Sequence, residues 1–346
     1  MPNVIIKFTY GNMPLNPQII KERYEVQRHL GKRPGQQTLL AQDRQTQDLV
    51  VVKILTFGGE LEWGTFKLFE REAKTLKDLD HPAIPRYLDH FDIETNFGKG
   101  FALVQSYIDA PSLEEHIQAG RTFSEIELKQ IAKAVLEILI YLHNRHPPII
   151  HRDIKPGNIL LANRSGNNVG QVYLVDFGSV QAAVSEGGTR TVVGTYGYMP
   201  PEQFGGRAVS ASDLYGLGTT IIYLASGQHP ADLPQKDFRI GFENYVSLSP
   251  TFINWLQWIT EPSLERRLRS ATEALEALES QTLQKKPALV PSKPADTKVV
   301  LRKGNDRLEI YIPPKGFSVD LLPVIVFATV WNGFWVIWYT AALNSW

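Results

Sequence analysis

The chain has 346 residues, 43% of them apolar, and its 36 Lys plus Arg balance its 36 Asp plus Glu. That length suits a two-lobed domain with an appendage, and a net charge of zero lacks the clustered basic excess of a general nucleic-acid binder. The absence of cysteine excludes disulfides, zinc–thiolate sites and thiol catalysis, and the opening residues MPNVIIKFTYGN lack an apolar core of signal-peptide length, so export is not indicated.

Residues 1–23 read as a leader, with prolines at 14 and 17. Short β-like runs dominate 24–110: Tyr24–Leu30, Thr38–Gln42, Leu49–Leu55 and Phe101–Tyr107. One amphipathic segment, Glu62–Leu79, interrupts them with Phe66, Phe69, Ala73, Leu76 and Leu79 at helical spacing. Residues 112–280 are mostly helical in pattern, with apolar positions every three or four residues from Ile126 to Leu142 and a final helix over Ser270–Leu278. Strands first and helices after predict an α+β domain of two lobes, spanning 24–280, with a cleft between them.

A Pro/Lys-rich linker over 281–298 has the composition of an extended tether, with Pro287, Pro291 and Pro294. A short strand-like segment, 299–320, carries the alternation Leu308, Ile310, Ile312. Residues 321–343 then run for 23 positions without a charged side chain. As a helix they reach about 35 Å, enough for a hydrocarbon core of about 30 Å. Arg302, Lys303, Arg307 and Lys315 precede the run and no charge follows it, an asymmetry that puts the N-terminal bulk in the cytoplasm. The expectation is a single transmembrane helix, either a tail or the first part of a longer membrane region. The competing reading, a buried core helix, fits less well because such helices rarely run this long without a polar face.

The stretch Ile149–Leu161 carries the chemistry. It sets the carboxylate of Asp153, the cation of Lys155 and the amide of Asn158 within six residues, between apolar flanks. Asp176 follows 23 residues after Asp153, at the end of the strand-like run Val172–Val175 and before Phe177 and Gly178. Phosphoryl transfer from ATP needs such groups: an acceptor for the substrate hydroxyl's proton, ligands for magnesium, and a positive charge near the migrating phosphate. The order and spacing resemble the catalytic loop and Asp-Phe-Gly motif of the protein kinase family, and the arrangement looks most like bacterial Ser/Thr kinases of the cyanobacterial type with a C-terminal membrane anchor.

That resemblance covers about residues 24–280 and implies a bilobal kinase fold with a β-rich first lobe and a helical second. It implies roles as well. Lys53, ending the run Val50–Val52, would hold the α- and β-phosphates of ATP and be held by Glu72, with Glu70 as the competing carboxylate facing elsewhere on the helix. Asp153 would be the catalytic base, Lys155 the γ-phosphate contact, and Asn158 and Asp176 the Mg²⁺ ligands. Leu30, Gly31 and Thr38 would line the nucleotide site, together with Gln105 at the gatekeeper position, Tyr107 in the hinge and Leu160 under the adenine. His151 reads as a packed structural histidine. Thr195 matches the position that bonds Asp153 and Lys155. Glu202, two residues past a Pro200 that replaces the usual alanine, should pair with Arg267 or, second, Arg266, and Asp213 should brace the catalytic-loop backbone.

The glycine-rich loop departs from the family. Gly31 fits its first glycine, but Arg33 and Gln36 stand at the second and third, and Gly35 is displaced by one. A Cβ obstructs close approach to phosphates, so weakened ATP binding is expected, with Arg33 either reaching the phosphates or facing water. The resemblance implies that Arg152 pairs with a phosphate on the segment Asp176–Glu202, with Thr189 and Thr191 as candidates for autophosphorylation; a segment ordered without modification is the alternative. The leading expectation is an ATP- and Mg²⁺-dependent Ser/Thr kinase of protein substrates, single-pass in the membrane with its domain cytoplasmic and no nucleic-acid partner. The alternative is a pseudokinase scaffold that binds nucleotide weakly.

Overall fold

Three consecutive valines, Val50–Val52, sit in the centre of a curled sheet, where β-branched side chains pack well on a pleated surface. The computed structural model describes residues 5–6, 19–33, 35–56, 63–95, 98–163, 165, 168–182, 194–280, 300–303, 308–311, 327, 331–334 and 338–339. Its elements, in chain order, begin with strands β1 (Ile5–Ile6), β2 (Ile19–Ile20), β3 (Tyr24–Arg33), β4 (Gln36–Asp43) and β5 (Leu49–Thr56). Helix α1 (Trp63–Lys77) follows, then β6 (Tyr87–Thr95) and β7 (Gly98–Ser106). These strands form a seven-stranded sheet in the order β1-β6-β7-β5-β4-β3-β2, antiparallel except for the parallel β1–β6 pair.

The period-2 alternation of β5 divides its side chains between two environments. Val50, Val52 and Ile54 join Leu39, Ala41, Ala102 and Val104 in the core of this lobe. Val51 and Lys53 point the other way, into a cavity. The β3–β4 hairpin is tighter than a flexible glycine loop: Gly31 pairs with Thr38, Lys32 with Gln37 and Arg33 with Gln36. Only residues 34–35 connect the strands, and Gly35 has a φ of +70°, which only glycine adopts readily. Its carbonyl accepts a 2.9 Å hydrogen bond from the Thr56 amide. The displaced glycine therefore belongs to the turn, and the expected departure from the family's loop has a structural counterpart.

The helical half contains α2 (Leu113–Gln118), α3 (Glu125–His143), the short strands β8 (Ile149–Ile150), β9 (Ile159–Ala162), β10 (Gln171–Leu174) and β11 (Gln181–Ala182), α4 (Pro201–Phe204), α5 (Ser210–Ser226), the small hairpin β12 (Gln235–Lys236) and β13 (Arg239–Ile240), α6 (Pro250–Ile259) and α7 (Ala271–Glu279). Helix α3 starts at a capping box, in which the Ser124 hydroxyl accepts from the Glu127 amide while the Glu127 carboxylate accepts from the Ser124 amide. It buries Leu128, Ile131, Ala132, Val135, Leu136, Leu139 and Leu142 along one stripe. Helix α5 lies directly under the loop that carries Asp153: a Cβ on Gly216 would come within 2.9 Å of the Ile154 carbonyl. Glycine at that place lets the helix support the loop closely.

The chain divides into two compact units, Met1–Gln284 and Lys285–Trp346. In the second, β14 (Val300–Lys303) and β15 (Leu308–Tyr311) form an antiparallel hairpin, Val300 opposite Tyr311, which gives the strand-like alternation of that region a home. Most of 321–343 lies outside the described residues. Phe327, Trp331–Phe334, Trp338 and Tyr339 are helical and exposed. Among the described residues no helix is long and apolar enough to cross a membrane.

Candidate active site

Lys53 leaves β5 on the cavity side and is almost fully buried, at 6% exposure. Its ammonium donates to Glu72 Oε1 at 2.5 Å and to Asp176 Oδ1 at 2.8 Å. Glu72 reaches it because α1 turns Phe69, Glu72 and Leu76 inward at a three-to-four-residue spacing, while Glu70 is exposed. Burial alone would push the Lys53 ammonium toward neutrality; the carboxylates of Asp176 and Glu72 outweigh it and hold the pKa above the ordinary lysine value. One cation against two carboxylates leaves the site net negative. Among the described residues, the buried Glu72 Oε2 has no hydrogen-bond partner.

The loop bearing Asp153 is clamped from below. Asp213, at the start of α5, accepts the amides of His151 (2.9 Å) and Arg152 (2.8 Å) and lies 2.9 Å from His143 Nε2. Arg152 is held at a φ of +68° and Asp176 at +64°, sparsely populated conformations that persist where the surroundings dictate them. His151 is fully buried, edge-on to Phe177 at 5.0 Å, with Nε2 3.2 Å from the Val175 carbonyl. Burial lowers its pKa against the pull of Asp213, Asp153 and Asp176, which keeps it neutral. It serves as packing, as expected.

Asp153 is surrounded by donors. Thr195 Oγ1 donates to its Oδ1 at 2.7 Å, Lys155 lies 2.7 Å from its Oδ2, and Asn158 Nδ2 donates to its backbone carbonyl and to Oδ2 at 2.8 and 3.1 Å. Lys155 also donates to Thr195 Oγ1 at 2.7 Å. With both donors of Asn158 turned toward Asp153, its carbonyl oxygen is the atom that remains for a cation. Glu202 pairs with Arg267 through two contacts of 2.6 and 3.1 Å, and Ser212 Oγ donates to Glu202 at 2.8 Å. Arg266, half exposed, instead lies 3.1 Å from the buried carboxylate of Glu261. Arg152 donates through Nε to the Ser179 carbonyl; burial, then the neighbouring Arg71, bring its pKa down to about 10. Thr189 and Thr191 lie outside the described residues.

A cavity of about 720 Å³ collects these groups between the sheet and the helical half. Leu30, Gly31 and Thr38 line its roof, Gln105 and Tyr107 its inner wall, and Leu160 its floor, while Lys53, Glu72, Asp153, Asn158 and Asp176 all open into it. Every expected nucleotide-site residue thus borders one space. Motif reasoning missed Arg28, Ser112 and Glu115, which also line it. The last two were legible as a helix start: Ser112 and Glu115 form a capping box at α2. Nothing in the sequence marked Arg28.

A model of the protein kinase domain matches residues 24–289. The chain belongs to the protein kinase family. The kinase domain accounts for the whole of the cavity just described. Among curated relatives, the chain is 35% identical to serine/threonine-protein kinase B of Synechocystis sp. over 231 residues, 63% of this chain and 38% of that one. It is 33% identical to serine/threonine-protein kinase PknA of Nostoc sp. over 294 residues, 80% of this chain and 50% of that one. It is 34% identical to serine/threonine-protein kinase D of Synechocystis sp. over 327 residues, 88% and 62% respectively. The chain thus spans about half the length of these relatives.

Proposed function

We propose that the chain is a serine/threonine protein kinase that transfers the γ-phosphoryl group of ATP, with Mg²⁺, to protein hydroxyls. The observation that carries this reading is the joint closure of two polar clusters on one cavity: Lys53 with Glu72 and Asp176, and Asp153 with Lys155, Asn158 and Thr195. The donor set fits the co-substrate. The Asn158 carbonyl and the Asp176 carboxylate are hard oxygens suited to Mg²⁺, and the net negative charge beside Lys53 favours a cation. Among the described residues no group of three or more metal-ligating side chains forms a cage, as suits an ion whose remaining ligands are phosphate and water. When bound, Mg-ATP supplies the phosphoryl group and the metal that offsets its charge.

In this reading Asp153 takes the proton of the substrate hydroxyl and orients that oxygen, and Lys155 sets a positive charge beside it. Thr195 links the two and ties the segment ending at Glu202 to the loop. Lys53 positions phosphate oxygens, and Glu72 positions Lys53. Similarity to relatives named serine/threonine-protein kinases supports the hydroxyl specificity. Purified chain incubated with Mg-ATP and a generic protein substrate should yield phosphoserine or phosphothreonine, lost in Asp153→Asn. Nucleotide binding without transfer by the parent would instead indicate a scaffold.

We also propose that residues 321–343 tether this domain to a membrane with the domain on the cytoplasmic side. The uncharged run and the basic residues before it support this. Retention in the membrane pellet after alkaline carbonate extraction is the expected result; release into the supernatant would contradict it.

A further inference from the structure

The sheet of the first lobe curls until its two margins meet. Tyr24 of β3 stacks on Phe91 of β6 with ring centroids 6.0 Å apart, and its hydroxyl donates to Asp89 at 3.3 Å. Lys21 reaches across the same seam, 3.1 Å from Asp89 and 4.2 Å above the Phe91 ring. These strands are far apart in the sheet order, yet each is flanked by a strand from the leader: β1 pairs with β6, Ile5 opposite Glu94 and Ile6 opposite Thr95, and β2 pairs with β3.

The turn that delivers Lys21 is unusual. Lys21 and Glu22 both have positive φ, +52° and +56°, at the centre of a turn closed by the Arg23 amide donating to the Ile20 carbonyl at 3.1 Å, and turns of this kind normally use Asn or Gly. Strain of this kind persists where surrounding contacts fix it. Here the Lys21 contacts with Asp89 and Phe91 do so. At the other margin, the β-branched run Val4–Ile6 suits strand addition to an edge that would otherwise expose its backbone groups.

We propose that the two short strands β1 and β2 act as a strap of the kinase domain: Ile5–Ile6 and Ile19–Ile20, in the same chain, grip the two margins of the curled sheet and hold the seam between β3 and β6 closed. The strap is independent of the phosphotransfer reading, since Lys21, Tyr24, Asp89 and Phe91 lie outside the lining of the cavity. The lack of cysteine gives a clean test. In full-length chain, Ile6→Cys with Thr95→Cys joins registered partners about 4.8 Å apart, within disulfide reach. Ile6→Cys with Asp92→Cys is offset by roughly 10 Å and is out of reach. Oxidation should give an intrachain crosslink in the first pair and none in the second. Equal crosslinking of both, crosslinking of neither, or a dimer in place of the intrachain product would overturn the proposal.

Hydrogen exchange supplies the second readout. In the Ile5→Pro, Ile6→Pro variant, β1 loses its donors. Exchange should quicken at least tenfold over 91–95 and also over 24–28 across the seam, while 128–142 in α3 keeps its parental rate. Parental rates over 91–95, or quickening confined to 91–95, would refute the strap.

Discussion

Replacing Lys53 with methionine keeps the volume of the side chain and removes its charge. Glu72 is 1% exposed and sits 2.5 Å from the Lys53 ammonium. At an effective dielectric of 20, the gross attraction of Lys53 to each carboxylate is about 6 kcal/mol, most of which offsets the cost of taking the charges out of water. What decides the outcome is the carboxylate left behind. An uncompensated buried charge costs about 3–5 kcal/mol, and Asp176, about a third exposed at 35% of its side chain, adds little to that. Burial already raises the Glu72 pKa while Lys53 opposes the rise; without Lys53 it rises further. A carboxyl whose folded pKa lies above its unfolded value binds more protons in the native state. The variant's deficit is therefore full at neutral pH and shrinks as pH falls through the raised folded value toward about 4.3. Urea unfolding of parent and Lys53→Met at pH 7.5 and pH 5, with Lys53→Met, Glu72→Leu as the double variant, measures this. The double variant should recover most of the loss. A deficit below about 1 kcal/mol at pH 7.5, or one that grows on acidification, would refute the reasoning.

Other outcomes follow from neighbouring contacts. Arg267→Ala should cost about 3–5 kcal/mol because it strands Glu202, whose side chain is only 10% exposed, whereas Arg266→Ala should stay within about 1 kcal/mol because the Arg266 side chain is half exposed and Arg239, 2.8 Å from the other Glu261 oxygen, still pairs that carboxylate; thermal unfolding compares them. Thr195→Val should lower kcat for protein phosphorylation about tenfold or more with little change in the KM for ATP, and Thr195→Ser should restore most of it, because the bridge needs only a hydroxyl. His151 is buried neutral with a lowered pKa, so the native state binds fewer protons than the unfolded chain below about pH 6.5. Parental stability should fall as pH drops from about 6.5 to 5, and His151→Gln should flatten that slope in pH-dependent urea titrations.

Much of the site was legible because its chemistry sits in short, ordered runs. Asp153, Lys155 and Asn158 share one loop, and the side chain of Asn158 closes back on Asp153. Lys53 and Glu72 could be matched across 19 residues because the resemblance to kinases implies such a pair and the helix period sets Glu72 apart from Glu70. The choice between Arg267 and Arg266 stayed open in the sequence, since adjacent residues share one composition and only the local turn decides which is buried. Strand β6 escaped notice for a physical reason. A register shift between Tyr87 and Asp89 interrupts its alternation, and the acidic Asp89 shares the face of Phe91 and Ile93 because it serves Tyr24 and Lys21 across the seam. The two-residue strands β1 and β2 are too short to carry a period at all. Gly35 looked like an eroded motif until its place in the turn was known.

The measurement that bears most directly on the account is a crystal structure of the chain with Mg²⁺ and a non-hydrolysable ATP analogue. It should show the triphosphate in the cavity, Lys53 Nζ hydrogen-bonded to its oxygens, and Asn158 and Asp176 oxygens about 2.0–2.1 Å from Mg²⁺. A nucleotide bound elsewhere, or a metal ion that neither Asn158 nor Asp176 touches, would contradict it.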